Sequence, residues 1–298
     1  MSLATRVVCL QVIERDRIQL CGPLAASLNG IDLSLSIRGT QSRIVFAYLV
    51  LARTRQVDRD ELAEALWGTA PPPEPAVALR ALVSKLRTAL KATGAAELSS
   101  GDLLRLELPR GVWVDVEAAV QSLHDAQSAV AQKQEIRAWI ASHIALNVSS
   151  RTFLEGASGS WVAERRAALL EMRLRALEAL SASALRIGGP ELDTAQRAAR
   201  ELTRLAPYRE TGHGHLIRAL ASQGNRAEAV LTYDALRVRL REELGMSPSP
   251  ELQALHRDLL DAGPGTSDIV HQRVAKDQPT TSGKSGPPGG DSTLLIGE

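Results

Sequence analysis

The stretch from Pro75 to Thr93 constrains this chain more than any other. Leu79, Val83, Leu86 and Leu90 recur at three- and four-residue steps, so a helix through them carries one apolar stripe that has to be covered. Opposite that stripe Arg80, Ser84, Arg87 and Lys91 fall at the same steps, with Lys85 and Thr88 on the flanks, and the stretch contains no carboxylate. A helix with one apolar face and one cationic, hydrogen-bonding face suits the major groove, where Arg and Lys reach phosphates and base edges. In isolation the same pattern also describes an amphipathic helix with a solvated basic face. Its neighbours in the chain decide between the two.

Upstream, Ile18 and Leu20 alternate with polar neighbours, and Leu33, Leu35 and Ile37 do so again after Asn29-Gly30. Asn-Gly tolerates the positive φ of a type I′ turn, so a small antiparallel sheet is predicted to open the domain. Ile44, Ala47, Tyr48 and Leu51 then share a helical face. Asp58, with Glu61 three residues on, starts a short helix carrying Leu62, Leu66 and Trp67. Gly68 and Pro71-Pro72-Pro73 force a turn before Pro75. Gly94 ends the third helix, and Leu104, Leu106 and Leu108 alternate after a Ser99-Ser100-Gly101-Asp102 turn. Strands, three helices and a closing hairpin are the order of a winged helix-turn-helix, with the third helix as the reader of DNA.

Residues 112–262 read as helix throughout. Val116, Ala119, Val120 and Leu123 share one face; Ile136, Trp139, Ile140 and Ile144 share another. A long helix from Trp161 to Arg186 carries Leu170, Leu174, Leu177 and Leu180, and three more helices are separated by Pro207, Gly224 and the stretch Gly245 to Pro250. Gly224-Asn225-Arg226-Ala227-Glu228-Ala229, with Tyr233 following, looks like the inter-helix turn of a tetratricopeptide unit. The predicted class is therefore mainly α. Residues 1–16 are a lead, 17–111 an α+β winged helix-turn-helix, 112–262 an all-α tetratricopeptide-like bundle and 263–298 a Gly-, Pro-, Ser- and Thr-rich disordered tail.

Gly22-Pro23-Leu24, Gly39-Thr40-Gln41-Ser42-Arg43, Val57 to Leu62, Ala65-Leu66-Trp67-Gly68 and Leu82 to Arg87 together resemble the DNA-binding domain of the SARP family, the Streptomyces antibiotic regulatory proteins. That domain is similar in turn to the OmpR/PhoB winged helices. Glu242-Glu243-Leu244-Gly245-Met246-Ser247-Pro248-Ser249-Pro250-Glu251-Leu252 resembles the closing signature of the bacterial transcriptional activator domain, which directly follows the winged helix in that family. The resemblance runs to about Leu260.

It implies a transcriptional activator of secondary metabolism, with promoter DNA and RNA polymerase holoenzyme as partners and two protomers pairing on a direct repeat. Arg80, Ser84, Lys85, Arg87, Thr88 and Lys91 are the expected base or phosphate contacts of the third helix. Arg43 is expected on backbone phosphate, and the hairpin tip with Ser100 at the minor groove. The loop from Thr69 to Glu74 is a further expected polymerase contact. The family usually carries Gln and His where this chain has Arg80 and Leu82, and often a basic residue and an aromatic where it has Ser100 and Leu104. No operator sequence transfers.

Charge distribution is consistent with this reading: residues 1–111 hold 14 Lys+Arg against 11 Asp+Glu, whereas 112–262 hold 18 against 19. Two cysteines, Cys9 and Cys21, give neither a disulfide framework nor a Cys-rich zinc site and imply a reducing compartment. Without a bilayer-length apolar run or a signal-peptide pattern the expected location is cytoplasmic, and Asn147-Val148-Ser149 carries no glycan there. Neither a receiver domain before the winged helix nor a phosphopeptide-reading domain after the bundle is expected.

No catalytic, cofactor or metal site is predicted. Gly283-Lys284-Ser285 resembles the end of a phosphate-binding loop, but Gln278 stands where its first glycine belongs. His213 and His215, two apart on a helix, point to nearly opposite sides and cannot share a metal. Trp67 and Trp161 are expected as core anchors rather than base-stacking groups. The alternative function is a protein-interaction scaffold whose winged helix has lost DNA binding.

Overall fold

The computed structural model describes residues 16–261. The lead up to residue 15, with Cys9, and the tail, with His271 and Gly283-Lys284-Ser285, lie outside those residues. Strands β1 (Arg17–Gln19), β2 (Ala25–Leu28) and β3 (Ile31–Asp32) form an antiparallel ribbon. Leu28 faces Ile31 across the two-residue Asn29-Gly30 turn, whose φ values of 50° and 74° are both positive.

The ribbon stops there. Leu33 to Ile37 is not the expected strand: the Ser36 and Ile37 N–H groups both return to the Leu33 carbonyl, at 2.9 and 3.0 Å. Leu33 and Ile37 are buried and Leu35 is 65 % exposed. Apolar residues at i, i+2 and i+4 satisfy a strand by alternation and a tight turn by their outer pair, and here the outer pair is buried.

Helices α1 (Thr40–Leu51), α2 (Arg59–Trp67) and α3 (Pro75–Ala92) come next, with β4 (Val57–Asp58) before α2. Asp58 caps α2 by accepting the Asp60 N–H at 2.7 Å. Glu61 accepts from the Tyr48 hydroxyl and from Arg55, tying α2 to α1. β5 (Glu97–Leu98) pairs with β7 (Leu106–Glu107), while β6 (Leu103–Leu104) pairs with β4, so the wing is pinned on two sides.

β8 (Trp113–Val114) runs parallel to β1 and completes a sheet of order β3-β2-β1-β8. Trp113 and Val114 therefore belong to the first sheet, and helix begins only at Asp115. From there α4 (Asp115–Ala131), α5 (Glu135–Ser149), α6 (Ser160–Ile187), α7 (Leu192–Leu205), α8 (Glu210–Ser222), α9 (Arg226–Leu244) and α10 (Pro250–Asp261) form the bundle, each helix packing on its neighbour in sequence. The chain is mainly helical, with a mixed α/β region followed by a helical bundle.

Some of the bundle's expected faces are turned outward. On α5, Ile136, Ile140 and Ile144 are 63 %, 50 % and 46 % exposed, and on α4 Val120 is also exposed. The buried face of α5 consists of Ala138, Ala141, Ser142, Ala145, Val148 and Ser149. Small residues let neighbouring helices approach, so they take the interior in place of the larger isoleucines. The same closeness recurs at Gly212, where an added Cβ would stand 2.8 Å from Leu202 Cγ.

One continuous core joins the two regions, running from Ile18 and Leu20 through α1, α2 and α3 to Phe153, Trp161 and Leu169. The Trp161 ring lies tilted 5.0 Å from Tyr48 and edge-on 5.7 Å from Phe153, and Trp67 packs at the cluster's edge. At the seam Asp115, 1 % exposed, accepts the Leu20 N–H at 2.9 Å, the Cys21 N–H at 2.9 Å and its own helix's Val116 N–H at 2.8 Å. Burial pushes the Asp115 carboxyl up, against the downward pull of those N–H groups and of Arg151. Leu154 N–H to Leu20 O at 3.0 Å and Gly22 N–H to Thr152 O at 2.8 Å finish the seam.

Replacing Asp115 with Ala leaves the two buried N–H groups just beyond β1 without an acceptor and should destabilise the chain by about 3 kcal/mol, read as a lower urea midpoint. The Arg55 guanidinium, followed by the Tyr48 hydroxyl, holds Glu61 down from the ordinary 4.5 to about 2. A depressed carboxylate stabilises above its unfolded value and loses that contribution as pH falls through the folded one. Glu61→Gln should therefore lower stability at pH 7 and flatten the acid limb between about pH 4.5 and 2 in thermal melts.

Candidate nucleic-acid interface

Helix α3 buries Leu79, Val83, Leu86 and Leu90 against α1, α2 and the wing, which fixes its rotation about its own axis. That rotation turns Arg80, Ser84, Lys85, Thr88 and Lys91 to solvent. Among the described residues Arg43, Arg80, Lys85, Arg87 and Lys91 make no ion pair; the ion pairs of this region join Arg53 to Glu117, Arg55 to Glu61, Arg59 to Asp102 and Arg105 to Glu107. The helix's own sequence explains this, since it supplies no acid within reach.

The predicted residues differ in how free they are. Arg80, Lys85 and Lys91 stand clear. The Thr88 hydroxyl donates back to the Ser84 carbonyl at 3.1 Å, which leaves its oxygen as an acceptor. Arg87 is half-buried: its Nε donates to Leu98 O at 3.1 Å and its Nη2 to Ser99 O at 2.7 Å. It keeps its charge on the α3 face but acts first as a brace between α3 and the wing. Arg43 lies in the first turn of α1, whose N-terminus has neither a side-chain cap nor an acid. Such a helix end favours an anion.

Ser100 is exposed at the wing tip. The tip is held by a residue that the spacing did not single out, Arg59 in the first turn of α2. Its Nε and Nη2 both donate to Gly101 O, at 3.1 and 2.8 Å, and Asp102 lies 3.9 Å away. A capping motif around Asp58 and Glu61 gives no hint of a contact 42 residues downstream.

Two clefts flank α3. One, of about 600 Å³, is lined by Arg87, Lys91, Ser100 and Glu107; the other, of about 460 Å³, by Arg59, Pro75, Arg80, Gly101 and Asp102. Each pairs a cationic helix edge with the wing.

Both histidines of α8 are engaged within the protein. His213 Nε2 lies 3.0 Å from Pro207 O and His215 Nδ1 lies 2.7 Å from Ser181 Oγ, so the two rings reach different partners. Burial lowers both, His215 to about 4. Among the described residues no group of three or more His, Cys, Asp or Glu side chains could hold a metal ion, and no helix is long and apolar enough to cross a membrane.

Comparison with known proteins gives a consistent result. The family described as bacterial transcriptional activator domain matches residues 114–260. Regulatory protein AfsR of Streptomyces coelicolor is 30 % identical over 259 residues, 85 % of this chain and 25 % of AfsR. The chain thus spans about a quarter of AfsR's length. Regulatory protein DnrI of Streptomyces peucetius is 29 % identical over 264 residues, covering 84 % of this chain and 93 % of DnrI. Among solved structures, Mycobacterium tuberculosis EmbR in complex with a low-affinity phosphopeptide aligns with a TM-score of 0.70 at 26 % identity, covering 83 % of this chain and 65 % of EmbR.

If Arg87 braces the wing, Arg87→Ala should loosen it without unfolding the domain. The expected outcome is about tenfold faster amide exchange across Ser99 to Arg105, with the α3 amides unchanged, measured by hydrogen exchange of the free protein.

Proposed function

The chain belongs to the SARP-type regulators that carry a bacterial transcriptional activator domain, a family of transcriptional regulators rather than enzymes, and from that premise we propose that it is a sequence-specific DNA-binding activator. One observation carries the proposal. Helix α3 presents exposed, acid-free Arg80, Ser84, Lys85 and Lys91 opposite a buried leucine stripe, on a wing-and-helix frame that fixes its direction. In this reading α3 enters the major groove, Arg43 and the N–H groups at the start of α1 rest on backbone phosphate, and the wing carrying Ser100 follows the neighbouring minor groove.

The wider proposal extends to the partners. Two protomers bind a promoter repeat, the bundle supports their pairing, and the complex recruits RNA polymerase holoenzyme in the cytoplasm to switch on a secondary-metabolite pathway. Similarity to AfsR and DnrI supports the regulator role. The shared core through Phe153 and Trp161 supports a fixed geometry between DNA-reading and partner-binding surfaces.

A salt titration tests the reading. Affinity for promoter duplex should fall steeply between low and physiological salt, and Arg80→Ala should weaken it by about 1–3 kcal/mol and reduce the log-log salt slope by about 1 if the contact is to phosphate. If neither Arg80→Ala nor Arg87→Ala alters binding to any promoter fragment, the scaffold reading replaces this one.

A further inference from the structure

The wing is an acidic arm beside a basic helix. Glu97, Asp102 and Glu107 are exposed on it against a single Arg105, and the Asp102 side chain is fully exposed at the tip. Such a hairpin, left to find its own position, is repelled by the same polyanion that α3 attracts. Two guanidinium groups prevent that drift. Arg87 holds the carbonyls of Leu98 and Ser99 from α3, and Arg59 holds the carbonyl of Gly101 from α2.

The Arg59 contact is the one at the tip, where two N–H groups of one rigid plane share one oxygen at 3.1 and 2.8 Å. The Gly101 φ of 116° is a conformation that side chains rarely adopt, so the tip presents its carbonyl through a backbone shape peculiar to glycine. Arg59 Nε also stands 3.9 Å from Asp102 Oδ1, and both residues line the cleft that holds Arg80. One side chain therefore fixes the wing's course and offsets its most exposed negative charge, next to a predicted DNA contact.

We propose that Arg59 is a positioning residue for DNA binding: it sets where the wing tip meets the duplex and screens the Asp102 carboxylate from phosphate. The inference rests on the DNA-binding reading of α3. Arg59 touches the wing and acts on DNA through it, so its loss alters the position of one contact region rather than the whole interface.

The test uses the full chain and a duplex selected by it from a randomised pool. Arg59→Ala should weaken binding about tenfold, the scale of one charge-assisted hydrogen bond. It should remove hydroxyl-radical protection only on the flank met by the wing, with the α3 footprint and the thermal midpoint retained. Adding Asp102→Asn to Arg59→Ala should recover part of the affinity, and Asp102→Asn alone should tighten binding and steepen its salt dependence, because salt then no longer screens a repulsion. Arg59→Lys keeps the charge but not the two-pronged bond, and should give intermediate affinity with a blurred wing footprint.

Wild-type affinity and footprint in Arg59→Ala, while Arg80→Ala loses both, overturns the inference and leaves the DNA reading standing. Protection lost evenly along the site overturns it too, as does Asp102→Asn without effect. A pool that yields no enriched duplex overturns the DNA reading itself.

Discussion

The buried Asp115 carboxylate is the interaction on which the two halves of this molecule depend. Strand β1 ends at Gln19, and the next two N–H groups, of Leu20 and Cys21, point at a helix start rather than at another strand. Without an acceptor each costs a desolvated hydrogen bond in the middle of the core. Asp115, the first residue of α4, supplies that acceptor and also accepts the N–H of Val116, next in its own helix. Burying a charge is unfavourable, and desolvation does raise its carboxyl. The N–H groups gathered around it offset that cost and give the seam a single register.

The seam makes the molecule rigid across the boundary between the winged helix-turn-helix and the bundle. The sheet closes only with β8 from the far side of that boundary, and Cys21 pairs with Phe153 from the loop after α5. Arg53 of α1 forms an ion pair with Glu117 of α4, and Trp161 of α6 packs on Tyr48 of α1. Helix α3 is thus oriented relative to the bundle as well as relative to its own domain. On the activator reading, surfaces on the bundle are carried to DNA at one fixed angle, and the spacing of a repeat site reflects the dimensions of the whole chain.

Much of this was legible in residue order, wherever a local rule has only one solution. Asn29-Gly30 admits one kind of tight turn, Asp58 before an apolar-periodic run is a cap, and Leu79, Val83, Leu86 and Leu90 leave α3 one way to face. Elsewhere local rules have two solutions and tertiary contacts choose. Leu33, Leu35 and Ile37 fit a strand or a turn equally. On α5 the isoleucines mark a face by size, yet close helix packing selects Ala138, Ala141 and Ala145, whose periodicity was equally available and carries more weight in a bundle. Asp115 gave no local sign at all, because its partners lie about 95 residues upstream.

The candidate site shows the same division. The cationic line on α3 is a property of one helix, so spacing revealed it; which of its members are free to reach a ligand is a property of the wing. Arg87 sits on that line and commits two N–H groups to the carbonyls of Leu98 and Ser99. An arginine committed to backbone in the free protein can still attract phosphate by charge. Its Nη1 and the remaining Nη2 N–H groups stay open, pointing in the direction that the brace fixes. On the DNA-binding reading, base discrimination by arginine is shared between the free Arg80 in the first half of α3 and the fixed outer end of Arg87, with Ser84 and Thr88 as the neutral hydrogen-bonding groups. Lys85 and Lys91 supply point charge. The wing fixes the direction of one arginine of α3 and is itself held by it, and an interface of this kind gains its selectivity from shape and placement as much as from the number of its cations.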